Sequence, residues 1–220
     1  MRVPHALAAL AAAALTGCPD NVKTPFDPAA GYQPIEPSTA AFPPPDGGDP
    51  HPEAIQIVSG WREGRLAFAH GAAYLHASVP QVLEALRDPR VSRIHGTDSW
   101  YATADVEPDY PISFSIRYAA GPAIYKGRWT IVYRGGPLLG TLEAPEQIGF
   151  RYQKVEGIED IRVQSGSLVA YAVGDGVSAL EFVCHLDTSS RADQGPDDVY
   201  GTVNDWWVDL RAKVRGEPVP

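Results

Sequence analysis

Histidine, cysteine and serine are the residues to weigh first, as metal ligands, general bases or nucleophiles. The chain has six histidines. His5 and His51 fall in the N-terminal part, outside any regular pattern. His70 and His76 share one face of a strand-like run but stand about 20 Å apart at ~3.3 Å per residue, too far to share an ion. His95 and His185 have no ligand-type spacing around them. No metal set is expected, and no cofactor. Nucleophile signals are equally sparse. There is no Gly-x-Ser-x-Gly, and Gln164-Ser165-Gly166-Ser167 lies in a strand-like run, not at a strand-to-helix turn. Cys184 is followed by His185, but neighbours on a strand point to opposite faces and do not pair. Gly135-Gly136-Pro137-Leu138-Leu139-Gly140 lacks the Lys-Ser/Thr of a phosphate cradle and is expected to be a loop. No catalytic residue is assigned.

Binding is the remaining chemistry. Arg117, Arg128, Arg151, Glu181 and His185 are polar candidates near aromatic sheet faces, and by parity most of them face opposite to the apolar set, toward solvent. Tyr101, Phe114, Tyr118, Trp129, Tyr133, Phe150, Tyr152, Phe182 and Trp207 form an aromatic set. They are the candidates to line a cavity for an apolar ligand, with plain core as the alternative.

The elements that must position them begin near residue 60. Leu66–Ala77 reads as a long strand. Ser78 can cap a helix with Pro80 early in it and Val82, Leu83 and Leu86 as its apolar stripe, ending near Asp88-Pro89. Five strand-like runs follow. They cover Ser99–Val106, Ile112–Tyr118, Arg128–Arg134, Ile148–Gln153 and Ile161–Val173. Strict alternation in the middle three means one buried face and one wet face, as in an antiparallel sheet. Gly174-Asp175-Gly176 signals a hairpin turn into a last strand, Ser178–Leu186. A helix capped by Asp197 or Asp198 closes the chain. Val199, Val203, Trp206 and Leu210 recur along it at helical spacing. Trp206 is expected in the core and Trp207 on the pocket side.

The first 18 residues carry Arg2, an apolar run of Ala and Leu, and then Leu15-Thr16-Gly17-Cys18. This resembles the signal and lipobox of bacterial lipoproteins. The resemblance implies cleavage before Cys18, acylation of that residue, and anchoring of the mature chain in a membrane of the bacterial cell envelope, inner or outer. Residues 1–17 would then be a signal peptide. Residues 18–54 would be the lipidated Cys and a tether, with ten of the 21 prolines and no apolar period between 19 and 53. Such a segment is expected to stay extended and dispensable for folding, and a ligand for a proline-binding module is the alternative. With Cys18 acylated, Cys184 has no disulfide partner and serves as a small buried hydrophobe. The net charge of −9 excludes nucleic acid as a partner and leaves the lipid to do the anchoring.

Residues 55–217 are expected to form one domain. Ala73-Tyr74-Leu75-His76-Ala77-Ser78-Val79-Pro80-Gln81-Val82-Leu83-Glu84-Ala85-Leu86-Arg87-Asp88-Pro89 resembles the opening of the START/Bet v 1-like superfamily, the polyketide cyclase and lipid transport group. Phe182-Val183-Cys184-His185-Leu186-Asp187 before a Trp-bearing helix resembles its close. The resemblance implies an α+β helix-grip fold. A curved antiparallel sheet of about seven strands wraps a long C-terminal helix and encloses an apolar cavity. The function expected of such a chain is that of a membrane-tethered, non-catalytic binder of a lipid or other hydrophobic molecule, and a monomer is expected. The alternatives are an envelope interaction module with a filled core and an aromatase/cyclase-like enzyme.

Overall fold

The computed structural model describes residues 21–62, 64–122, 126–189 and 193–219. Residues 1–17, expected as a signal peptide, and Cys18 lie outside them. In chain order the elements are β1 (Asn21–Lys23), β2 (Ile55–Trp61), β3 (Ala67–Leu75), α1 (Val79–Ala85), β4 (Ser99–Ala104), β5 (Ile112–Ala120), β6 (Gly127–Gly140), β7 (Pro145–Ile158), β8 (Ile161–Gly174), β9 (Val177–Thr188) and α2 (Gly195–Val214). Short 3-10 turns cover Pro28–Ala30 and Pro89–Ser92. The sheet is antiparallel throughout, in the order β2-β3-β9-β8-β7-β6-β5-β4, and β1 pairs with the end of β7.

The alternating runs find their register as expected. Phe114, Tyr133 and Tyr152 stand opposite one another on β5, β6 and β7, and the row continues through Gly166 and Cys184 on β8 and β9. This row faces inward. Gly166 is required there, because a Cβ on it would collide with the Tyr152 ring. α2 lies along β2, β3 and β9, and α1 reaches β7 and β8. This is the START/Bet v 1 helix-grip fold.

Three local expectations change. Gly135–Gly140 is no loop but the second half of β6. Asp197 and Asp198 sit in the first turn of α2, where acids favour the helix N-terminus, while Gln194 holds the cap position. Two further strands, β1 and β2, precede those read from the sequence.

The largest difference concerns residues 21–54. They do not extend away from the domain as a tether but lie across the outer face of the sheet as a strap. The row next to the inward one, Arg134, Arg151, Ser167, Val183 and His70 on β6, β7, β8, β9 and β3, forms its track. The Arg134 guanidinium donates to the Asp27 carbonyl at 2.8 Å and lies 3.8 Å from the Phe26 ring centre. Arg151 Nη1 donates to the Gln33 carbonyl at 3.3 Å, and the Ile35 N–H donates to Ser167 Oγ at 3.1 Å. Tyr32 fits over Gly136 and Gly149, cross-strand partners whose missing side chains leave a trough. The prolines explain why such a chain can be spared a ladder of its own. They lack N–H donors, and their fixed φ lowers the entropy lost on ordering.

Candidate functional site

The inner face holds most of the aromatic candidates. Phe114, Tyr118, Trp129, Tyr133, Phe150, Tyr152, Phe182 and Trp207 are all buried, whereas Tyr101 on β4 is 70% exposed and stands apart from them. Phe114 stacks on Tyr133 at 4.7 Å and Tyr118 on Trp129 at 5.4 Å. Trp206 meets Phe150, Tyr152 and Phe182 at 5.5 to 5.9 Å between ring centres, and so plugs the sheet from the helix side. Trp207 also belongs to the buried cluster, with the Arg211 guanidinium 4.2 Å over its ring. Phe114, Ile116, Tyr118, Ile131, Tyr133 and Phe150 keep 2% exposure or less, so a water-sized hollow does not adjoin them.

The polar groups on this face are few. Tyr133 Oη donates to the Ser92 carbonyl at 2.9 Å, Tyr118 Oη accepts from the Ile94 N–H at 3.1 Å, and the two hydroxyls lie 3.2 Å apart. Burial pushes both phenols well above their ordinary range. Cys184 Sγ lies 3.0 Å from Tyr152 Oη, and burial pushes its thiol up to about 12, so it is inert as a nucleophile. The indole N–H groups of Trp129, Trp206 and Trp207 have no acceptor among the described residues. At the seam between α2 and the 89–95 segment, His95 Nε2 bonds Asp209 Oδ2 at 2.7 Å. Asp209 is fully buried, its other oxygen has no partner among the described residues, and burial raises its pKa.

A second cluster lies on the outer face, where the sequence offered no metal or acid–base set. His70 and His185 are diagonal neighbours on β3 and β9, and Glu36 of the strap comes down between them. Glu36 Oε1 lies 2.7 Å from His70 Nε2 and 3.0 Å from His185 Nε2. Arg62 grips both oxygens of the same carboxylate, with one contact of 2.7 Å from Nη1 to Oε2. The expectation that the histidines stay apart is therefore corrected for this pair. His70 with His76 or His95 would not have met, but β3–β9 pairing brings together residues 115 positions apart in sequence. Glu36, His70 and His185 offer ligand atoms within 4.8 Å of one another. They nevertheless do not fit a metal. The Thr39 N–H donates to His70 Nδ1 at 2.9 Å, so the His70 proton sits on Nε2, where a metal would need a lone pair. Arg62 already neutralises the carboxylate. The cluster is a latch for the strap.

The remaining polar candidates divide. Arg117 and Arg128 are exposed, Glu181 is half-buried and bonds Tyr171, and Arg151 and His185 are covered by the strap. Arg134 was missed. It is 1% exposed and its guanidinium donates to both oxygens of Glu107, at 2.6 and 2.7 Å. The signal available in sequence was the Gly136/Gly149 pair, which made sense only once both were seen to lie opposite each other.

No protein-family model matches the chain, and no curated protein is similar to it. Solved structures are similar in shape. The lipid transfer and protein localization domain of human StarD13 is 12% identical, with a TM-score of 0.50, over 74% of this chain and 83% of that one. A STAR-related lipid transfer protein of Xanthomonas axonopodis is 14% identical, with a TM-score of 0.48, over 73% and 93%. The Zhui aromatase/cyclase of a Streptomyces is 14% identical, with a TM-score of 0.44, over 74% and 93%. At these identities the likeness is one of fold alone, and the first of the three carries it.

Proposed function

We propose that this chain is a membrane-tethered protein that takes up a lipid or other hydrophobic small molecule between the sheet and α2. The observation that supports this reading is the set of buried indole donors. Trp129, Trp206 and Trp207 present N–H groups without protein acceptors among the described residues, inside an otherwise apolar cluster. A buried donor left unpaired costs about 1–3 kcal/mol, so three together call for a partner that brings acceptors. An apolar molecule with a polar head supplies both surfaces. The fold agrees with it, since the StarD13 domain is described as a lipid transfer domain. The rings now touch one another, so uptake requires α2 to move away from the 89–95 segment, against the His95–Asp209 bond. The anchor in this reading is Cys18.

Native mass spectrometry of the mature protein, with lipid extraction, tests it. The expected result is a bound apolar species at one per chain and a diacylglyceryl modification on Cys18, both absent from a control digest and from Cys18→Ser respectively. Protein that is always empty and takes up no fluorescent fatty-acid probe would overturn the binding half.

A second reading has its own support. The near-zero exposure of Phe114, Ile116, Tyr118, Ile131, Tyr133 and Phe150 suits an interaction module of the cell envelope whose core is filled. It expects the empty outcome of the same experiment.

A further inference from the structure

β1 decides where the anchor must sit. Asn21, Val22 and Lys23 pair with Ile158, Gly157 and Glu156 at the end of β7. Cys18 is three residues before Asn21, and three residues span at most about 11 Å. If Cys18 holds the acyl chains, the corner of the sheet around β1 lies against the bilayer, with no tether to separate them. This inference rests on the lipoprotein reading above and asks what that corner offers to lipid.

It offers positive charge, in a chain whose net charge is −9. A surface cavity of about 210 Å³ beside β1 is lined by Arg117, Lys126, Arg128, Thr130 and Glu156, among others. Arg117 lies opposite Thr130, and Arg128 opposite Ala119, so the two arginines are diagonal neighbours on the outer face. Thr130 in turn lies opposite Glu156, and Glu156 opposite Lys23, so the cavity and β1 share one row of the sheet. The two acids here are taken. Glu156 lies 3.9 Å from Lys23 Nζ, and Asp98 lies 3.5 Å from Lys126 Nζ. Glu159, in the adjoining turn, is exposed and offsets one charge. Arg117 and Arg128 are exposed and have no acidic partner among the described residues. Two unpaired guanidiniums over a concave surface match a phosphate group, which each can grip with two N–H donors.

We propose that this corner is the membrane-docking face of the protein, and that Arg117 and Arg128 bind the phosphates of anionic lipids in the bilayer that holds the anchor. The lipid would then fix an orientation that the acyl chains alone leave free.

The test uses the acylated full chain reconstituted in phosphatidylcholine vesicles, with or without about a third phosphatidylglycerol. A membrane-impermeant amine reagent then labels lysines, read by peptide mass. Each basic residue near an anionic surface contributes about fivefold, so two predict that Lys126 labelling slows by up to about 25-fold on phosphatidylglycerol vesicles. Lys213, on α2, should label at the same rate on both. R117Q/R128Q should restore Lys126 labelling, whereas R65Q/R87Q, equal in charge, should not. Equal Lys126 labelling on the two vesicle types, or protection that survives R117Q/R128Q, overturns the docking face. The N-terminal peptide from the same sample separates the two readings. An unmodified Cys18 overturns the anchor and this proposal with it, while an acylated Cys18 with unprotected Lys126 overturns the docking face alone.

Discussion

His70 donates its Nε2 proton to Glu36 across 2.7 Å, although the two residues are 34 positions apart and belong to segments that read as separate parts of the chain. The direction of that bond is set from the other side of the ring, where the Thr39 N–H occupies Nδ1. Thr39 and Glu36 both belong to the strap, so one imidazole holds it at two points. His70 itself is 1% exposed, and that burial is supplied by the segment it binds.

Glu36 should therefore make stability fall in acid. Its pKa is lowered from 4.5 to about 2, chiefly by the Arg62 hydrogen bonds, with His185 and His70 adding and burial opposing. A carboxylate with a depressed folded-state pKa contributes stability above its unfolded value and loses it as the pH falls. The shift corresponds to about 3 kcal/mol at most. His185 acts in the same direction. Burial lowers its pKa from 6.5 despite Glu36, so the folded form resists the proton that the unfolded form accepts below that pH. Glu36→Gln should cost about 2–3 kcal/mol at neutral pH. In urea denaturation the gap from wild type should shrink by half near pH 3 and close near pH 2. A gap independent of pH would mean that the carboxylate charge is not what holds the strap.

A chain shortened to begin at Ile55 should be much less stable than the mature one. It strips Arg134 of the Asp27 and Phe26 carbonyls, uncovers the Gly136/Gly149 trough, and leaves His70 and His185 without Glu36. Losing about 5 kcal/mol in a domain of this size lowers the melting temperature by about 10–20 °C. A shortened chain that melts within a few degrees of the full one would show that the strap contributes nothing and that residues 21–54 behave as a tether after all.

What could be read in sequence, and what could not, follows from the range of the interactions. The alternation at Ile112–Tyr118 and Arg128–Arg134 gave both the strands and the face of each residue, because period two is local. Parity also separated Cys184, inward against Tyr152, from His185, outward against Glu36. The outer face was read as wet for the same reason, since polar residues alternate there, and parity cannot tell solvent from a covering segment. The strap was opaque because its own pattern is irregular. Its partners are single groups on five different strands, and a proline-rich stretch looks the same whether it is free or laid on a track. Trp206 fitted the apolar stripe of α2 and is buried, while Trp207 lies 100° further round the helix and is buried too, because α2 rests on β2 and β3 as well as on β9.

Cys184 should be a silent thiol. It is buried on the inner face with Tyr152 Oη at 3.0 Å, and burial pushes its pKa up to about 12. In the native protein at neutral pH a disulfide reagent should label it only through unfolding, at a rate that follows denaturant concentration. Labelling within seconds in native buffer would mean that α2 opens freely over β9, and would itself favour ligand entry by that route.

Trp206 and Trp207 separate core from gate. Trp206 touches Phe150, Tyr152 and Phe182, three strands at once, so Trp206→Ala removes the plug of the sheet. It should cost about 3–5 kcal/mol through lost burial and the void left behind. That void should also raise affinity for a fluorescent fatty-acid probe, since it is lined by the same rings. Trp207 makes its aromatic contact with Arg211 on its own helix, so Trp207→Ala should cost less than Trp206→Ala. Its effect on uptake should be kinetic, with faster probe entry at unchanged plateau, because its ring is part of the buried cluster that α2 must carry with it when it lifts off the sheet. His95→Ala should do the same by leaving the buried Asp209 carboxylate without its partner. Stopped-flow uptake and urea denaturation on the three variants decide the matter. Probe entry that none of them changes, with both tryptophan variants equally destabilised, would place the function of this fold on its surface and leave α2 as a structural closure.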